Sequence, residues 1–243
     1  MIQSIERAVK ILRFAAESKS GIRLCELARA CEMSRNTVYN LAETLVQEGL
    51  LAKTAESRYI IGETVHEFAG KSAGRLEKAE KILCRLHEKY PDAHIFYSEL
   101  GSSDVIVRFH YVPGRPGIAV YPDTMTLPPY LTVGGLAFLA FAPDEKLAAL
   151  RMKFPFEYHG LQAWKSTEKF TKILEIARKK GYTETPCIIP ETEFKAGIPV
   201  RDKSGMITAA ITFNIKDFEK SKRKNAISDA LEAASEINKS IYG

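Results

Sequence analysis

The sequence predicts an α+β chain with two domains and a short connection between them. Three observations carry this. Residues 1–62 read as three helical patterns followed by two short apolar runs. Residues 75–243 mix helical spacing with strand alternation, and their strands come as hairpins. Residues 63–74 between them have helical spacing but little to bury.

The elements follow in order. Ser4 to Glu17 carries Ile5, Ala8, Val9, Ile11, Leu12 and Ala15 at helical spacing, and these are expected to form its buried side. "SKSG" breaks the pattern. Leu24 to Ala30 reads as a second, shorter helix with Leu24, Leu27, Ala28 and Cys31 apolar. Ser34 is a natural N-cap for a third helix, because its oxygen can accept a backbone N–H that the helix leaves unpaired. Gly49 suits the left-handed residue that ends such a helix. Leu50 to Lys53 and Arg58 to Ile61 then read as a hairpin around a polar tip.

The third helix has two unlike faces. Val38, Leu41, Ala42, Leu45 and Val46 form one apolar stripe, while Arg35, Asn36, Tyr39, Asn40 and Glu43 lie opposite. Three helices and a hairpin are the order of a winged helix-turn-helix, in which the third helix enters the major groove with its N-terminal half. Asn pairs bidentately with adenine and Arg with guanine. Ser34, Thr37 and Tyr39 suit phosphates, which position a protein without specifying sequence. Lys53 and Arg58 sit on the hairpin, where a wing would meet the backbone. The other reading is a ligand-sensing scaffold whose winged helix contacts protein, and the Arg35/Asn36/Tyr39/Asn40 face with Lys53 and Arg58 discriminates the two.

Net charge does not decide between them. The 243-residue chain is +5, but residues 1–70 hold nine basic and nine acidic side chains, so the excess lies in the remainder. Only a local arrangement of basic groups can matter for DNA. Hydrophobic content of 45% and charged content of 27% are those of an ordinary globular protein. The N-terminus has no uninterrupted apolar run of the signal-peptide kind, and no stretch approaches a membrane span. Cys25, Cys31, Cys84 and Cys187 are scattered, which fits a reducing cytoplasm.

In the connection, Val65, Phe68 and Ala69 make a small apolar face, expected to pack against a second copy, and Gly74 is expected to end that helix. Arg75 to Tyr90 reads as another helix with Leu76, Ala79, Ile82, Leu83 and Leu86 on one side. "AHIFYSEL" and "DVIVRFHY" read as a hairpin. Residues 112–129 contain five prolines and read as irregular. Leu131 to Phe141 reads as a helix opening with Gly134 and Gly135, and Ser166 to Lys180 as an amphipathic helix closed by Gly181. "FKAGIPV" and "MITAAITFNI" read as strands joined by "RDKSG", and Ser221 to Ile241 as a terminal helix.

The ordered set "SIERAVKILRFAAE", "LCELARACEMSRNTVYNLAETLVQEGLL", "RYIIG", "LPPYLTVGGLAFLAF" and "AGIPVRDKSGMITAAITF" resembles the IclR family of bacterial transcription regulators along the whole chain. The resemblance implies a winged helix, a linker helix, and a GAF-like domain that binds a small effector, often a carboxylate or aromatic acid. It implies a homodimer or tetramer on a palindromic double-stranded DNA operator, and no cofactor. The family's effector pocket maps onto Val133, Gly134 and Gly135, where glycines admit close approach and a helix start favours an anion. Its strand positions map onto Lys195, Thr212 and Asn214. Leu136 stands where the family usually has lysine, and "CIIPETEFKAGIPV" looks shorter than usual. Lys195 either faces the pocket and wants an anionic partner or points to solvent and blunts an edge strand.

An enzyme is the rival class. His66, His87, His94, His110 and His159 occur in no nucleophile, acid–base or metal motif. Zinc is possible in some relatives, but the His and Cys spacing here gives no ligand pattern. His94 and His110 lie on strands expected to be adjacent and so could converge. A lone Cys187 is more often a small buried hydrophobe.

Overall fold

In a computed structural model the protein is described over residues 2–18, 20–184, 193–216 and 219–242. The chain divides into two compact units, residues 1–74 and 75–243.

The first unit holds α1 (Gln3–Glu17), β1 (Ile22–Arg23), α2 (Leu24–Cys31), α3 (Arg35–Gln47), β2 (Leu51–Lys53) and β3 (Arg58–Ile61). Ser34 caps α3 by accepting the Thr37 amide at 3.2 Å. Gly49 follows the helix end at φ +69°, a backbone that glycine adopts without a Cβ penalty. The third helix and the hairpin thus stand where spacing places them. The strand β1 was not foreseen: two residues pair with β3 and complete a three-stranded sheet of order β1-β3-β2. Ile11, Ala15, Leu27, Cys31, Val38, Ala42, Leu45, Leu51 and Tyr59 make the core. Ile5 and Val9 do not join it. They remain 59% and 43% exposed, with Ile2 at 66%, and form a second apolar stripe on α1. The α1 spacing is apolar over more than one face, and periodicity alone cannot say which face meets the core.

The helix α4 runs from Glu63 to Lys89 without a break. The expected stop at Gly74 is overturned. Glycine costs about 1 kcal/mol against alanine in a helix, but neither a proline nor a left-handed residue stands there to end it.

The second unit is built on a six-stranded sheet among the described residues: β4 (Ala93–Leu100), β5 (Val105–Tyr111), β6 (Thr126–Leu127), β7 (Thr183–Glu184), β8 (Glu193–Arg201) and β9 (Ile207–Lys216). Its order is β6-β5-β4-β9-β8-β7, antiparallel throughout. Its helices are α5 (Val133–Phe141), α6 (Asp144–Lys153), α7 (Phe156–His159), α8 (Leu161–Trp164), α9 (Thr167–Lys180) and α10 (Arg223–Tyr242). The α+β architecture with a central antiparallel sheet is the one the sequence predicts. The segment 144–164 carried no expectation and supplies α6, α7 and α8.

The sheet has two covered faces. Ile95, Tyr97, Phe109, Tyr111, Ile198, Ile211 and Phe213 alternate onto one, where Ile82, Leu83 and Leu86 of α4 and Ala226, Ala230, Ala233 and Ile237 of α10 pack. The other face carries α5 near its middle. Gly197 on β8 lies so close under α5 that a Cβ there would stand 2.2 Å from the Val133 carbonyl oxygen. Thr183 ties the same spot together, its hydroxyl donating to the Val133 carbonyl at 2.8 Å. His87 is fully buried: Nε2 lies 3.1 Å from the Ala93 carbonyl, and Nδ1 accepts the Gly117 amide at 3.2 Å. That pattern requires the neutral ring, with the proton on Nε2.

Gly197→Ala therefore forces backbone apart rather than a flexible side chain. We expect a loss of about 1–3 kcal/mol in the second unit, read as a lower urea midpoint for the sheet signal.

Candidate nucleic-acid interface and candidate ligand site

In the first unit, α2 and the sheet hold the apolar side of α3, so its opposite side faces outward. Arg35, Asn36, Tyr39 and Asn40 are exposed there, Tyr39 at 47%. Ser34 is exposed too, but its hydroxyl is shared with Thr37 at 2.8 Å, which limits what either can offer outward. Glu43, a carboxylate on the same helix, is engaged from behind: Lys53 lies 3.8 Å away, and the Tyr59 hydroxyl donates to it at 3.2 Å. Burial and that acceptor push the Tyr59 phenol up to about 12. Lys53 also sits over the Tyr59 ring at 5.5 Å and is itself exposed.

Arg58 behaves differently from the other basic side chains. It is half-buried, donating to the Gly21 carbonyl at 3.0 Å, with Glu56 3.6 Å from its Nε. Its guanidinium fastens the hairpin to the turn before β1.

The second unit gathers most of the remaining sequence-chosen residues on the sheet face under α5. Thr212 and Asn214 alternate onto that face of β9, and Lys195 is the register partner of Asn214. Gly134 lies against Thr212: a Cβ on it would be 2.4 Å from the Thr212 hydroxyl oxygen. Val133 is buried, with its carbonyl taken by Thr183. Gly135 turns elsewhere. Its missing Cβ makes room for the Pro129 backbone, 2.5 Å from where it would stand, so packing accounts for this glycine. Leu136 is buried in the core beside α9.

Lys195 has its anionic partner inside the chain. Its Nζ is 2.6 Å from the Glu193 carboxylate, and the contact holds that carboxyl below the usual range. It lies on the face it shares with Asn214, one residue beyond the last pair of β7 with β8, Glu184 and Ala196.

Sequence reasoning did not assign His94, Phe96 or His110 to this face. Phe96 is the register partner of both Thr212 and His110, and His94 that of Asn214. The three rings stack, His94 on Phe96 at 6.1 Å and Phe96 on His110 at 5.3 Å. Strand alternation in "HIFY" already set His94 and Phe96 on one face. The pairing partners on β9 were the missing information. Burial lowers both histidine pKa values, helped at His94 by Lys216 and His87 and at His110 by His94. Three side-chain atoms here are buried without a hydrogen-bond partner: Thr212 Oγ1, Asn214 Oδ1 and His110 Nδ1. Among the described residues no group of three or more His, Cys, Asp or Glu side chains could hold a metal ion. Cys187 and the shortened segment before Glu193 lie outside the described residues.

Residues 4–55 match the IclR helix-turn-helix domain. The chain is 23% identical over 217 residues to the HTH-type transcriptional regulator KdgR of Dickeya chrysanthemi, covering 88% of this chain and 70% of that one. The crystal structure of the Thermotoga maritima IclR superposes with a TM-score of 0.54 at 19% identity, covering all of both chains. An IclR homolog from Microbacterium hydrocarbonoxydans, crystallised with 4-hydroxybenzoate, superposes with a TM-score of 0.58 at 18% identity over 98% of each chain. No helix of the described residues is long and apolar enough to cross a membrane.

Two outcomes follow. Arg58→Ala should lower the stability of the first unit by about 1–2 kcal/mol through the lost carbonyl bond, while Arg35→Ala leaves the melting curve unchanged; differential scanning calorimetry of both variants checks this. The second concerns pH. With folded-state pKa values lowered at His87, His94 and His110, the unfolded chain binds protons that the folded chain refuses. Stability contributed by the neutral rings is complete above the unfolded histidine pKa of about 6.5 and falls as pH drops below it. Urea midpoints between pH 7.5 and about 5.5 should decline, and His87→Gln should flatten the slope.

Proposed function

We propose that this chain, whose residues 4–55 match the IclR helix-turn-helix domain, is a DNA-binding transcription regulator whose operator occupancy is set by a small carboxylate bound in its second unit. The observation that carries the reading is the outward face of α3. A helix-turn-helix places that face in the major groove, and here it presents Arg35, Asn36, Tyr39 and Asn40, all exposed. Ser34, Thr37 and Lys53 lie beside it and suit phosphate contacts. Arg58 serves the wing from inside.

The ligand reading is supported by Val133 and Gly134 at the start of α5 above Thr212, where the helix N-terminus favours an anion. The neighbour crystallised with 4-hydroxybenzoate supports an acid of that size. A role on DNA fits a cytoplasmic protein. Operator half-sites call for two copies, and two exposed apolar features of the first unit fit a second copy: the Ile2/Ile5/Val9 stripe of α1 and Phe68 of α4, the latter 58% exposed. The ligand then changes operator affinity by as much as it prefers one arrangement of the dimer over the other.

The test is a titration of the protein against the intergenic DNA upstream of its own coding sequence, at two salt concentrations and with competitor. We expect specific binding that weakens steeply with salt. Arg35→Ala or Asn36→Ala should each cost about 1–3 kcal/mol of specific affinity with folding intact. Unchanged binding in both variants would sink the assignment of α3 and favour a protein-contact role for the winged helix.

A further inference from the structure

We propose that Glu43 sets the strength of DNA binding by competing with phosphate for Lys53: α3 holds the wing lysine in the free protein, and the lysine has to leave it to reach a phosphate. This rests on the DNA reading proposed above and adds a counterweight to it.

Residues 50–62 hold two basic side chains, Lys53 and Arg58. Arg58 is committed to the Gly21 carbonyl at 3.0 Å. Phosphate contact from the wing therefore falls to Lys53, the last residue of β2. Its Nζ stands 3.8 Å from Glu43 Oε1, and the two side chains are 42% and 35% exposed. At that distance the charges attract without a hydrogen bond. Lysine is a point charge on a flexible stem, so exchanging one oxygen for another needs no backbone movement.

Glu43 keeps a partner when the lysine goes. Tyr59 is 1% exposed, and its hydroxyl donates to the same Oε1 at 3.2 Å. The phenol, pushed up to about 12, holds its proton at neutral pH and donates throughout. Tyr59 is also the register partner of Lys53 across the hairpin, with Nζ 5.5 Å from its ring centre. One carboxylate oxygen thus faces a fixed donor and a movable cation. Tyr59 anchors Glu43 after Lys53 has turned to the phosphate.

The position of Glu43 makes the contest matter on DNA. It lies three residues beyond Asn40 and seven beyond Asn36, on the line that α3 turns outward. The lysine therefore has a carboxylate on one side and a phosphate on the other as the duplex arrives. Every duplex offers the same phosphates, so the contest weakens binding to any sequence by one factor and leaves sequence preference alone.

The test titrates the full chain against two duplexes, the upstream intergenic DNA and a random sequence of equal length, at several salt concentrations. Glu43→Gln should tighten both by the same factor, about twofold to fivefold, the worth of an exposed ion pair. Lys53→Ala should weaken both and lower the salt slope by about one. In the Lys53→Ala background, Glu43→Gln should gain less than it does with the lysine present. An equal or larger gain without Lys53 means that the carboxylate acts by its own charge, and overturns the inference. An unchanged salt slope in Lys53→Ala does so too, as does a gain confined to the intergenic duplex, which would make Glu43 a base contact. These outcomes leave the DNA reading standing. Wild-type protein that binds neither duplex overturns that reading, and the inference with it.

Discussion

Backbone approaches backbone where α5 meets the sheet, and much of the second unit follows from that contact. Gly197 on β8 and Gly134 on α5 leave out the two Cβ atoms that would hold the layers apart. Thr183 then reaches the Val133 carbonyl and the Gly197 carbonyl with one hydroxyl. The approach brings the start of a helix, with its unpaired amides, directly over the middle of a sheet. A longer separation would let side chains fill the gap and bury the polar atoms of Thr212 behind them. Here the glycines serve the close packing first, and the anion-friendly helix start is its by-product.

The first unit works on a comparable plan with charge in place of close approach. Glu43 lies on the helix that presents Arg35 and Asn36, and a free carboxylate there would repel a phosphate backbone. Tyr59 and Lys53 draw it toward the hairpin. Arg58 binds the hairpin to the Gly21 carbonyl. The same two or three contacts therefore shape the wing and clear the outer face of α3. That division explains why the balanced charge of residues 1–70 is compatible with a DNA-facing surface: part of the charge is spent internally.

Sequence pattern was informative where structure is local. The N-cap at Ser34, the left-handed Gly49 and the strands β4, β5, β8 and β9 depend on neighbours within a few residues, and they stand in the structure as read. Three things were not legible. The strand β1 is two residues long and exists only because β3 offers an edge. Ile5 and Val9 share helical spacing with the true core residues, and periodicity does not say which of two apolar faces is covered. The His94–Phe96–His110 stack joins two strands, while its relation to Thr212 and Asn214 depends on the pairing of β4 with β9, more than a hundred residues apart. Of the ligand-site residues chosen from resemblance, Thr212, Asn214, Lys195 and Gly134 share one face, whereas Gly135 answers to Pro129.

The unbroken helix α4 has one more consequence. Gly70 and Gly74 within it have no neighbouring atom within 4 Å of where a Cβ would stand, so neither glycine is required by packing. Each forgoes about 1 kcal/mol that alanine would add, in a stretch that buries little. The middle of this helix can thus lose order at low cost, and it coincides with the division between the two compact units. Two compact units joined at such a stretch can unfold independently, and two-state bookkeeping then applies to each unit by itself.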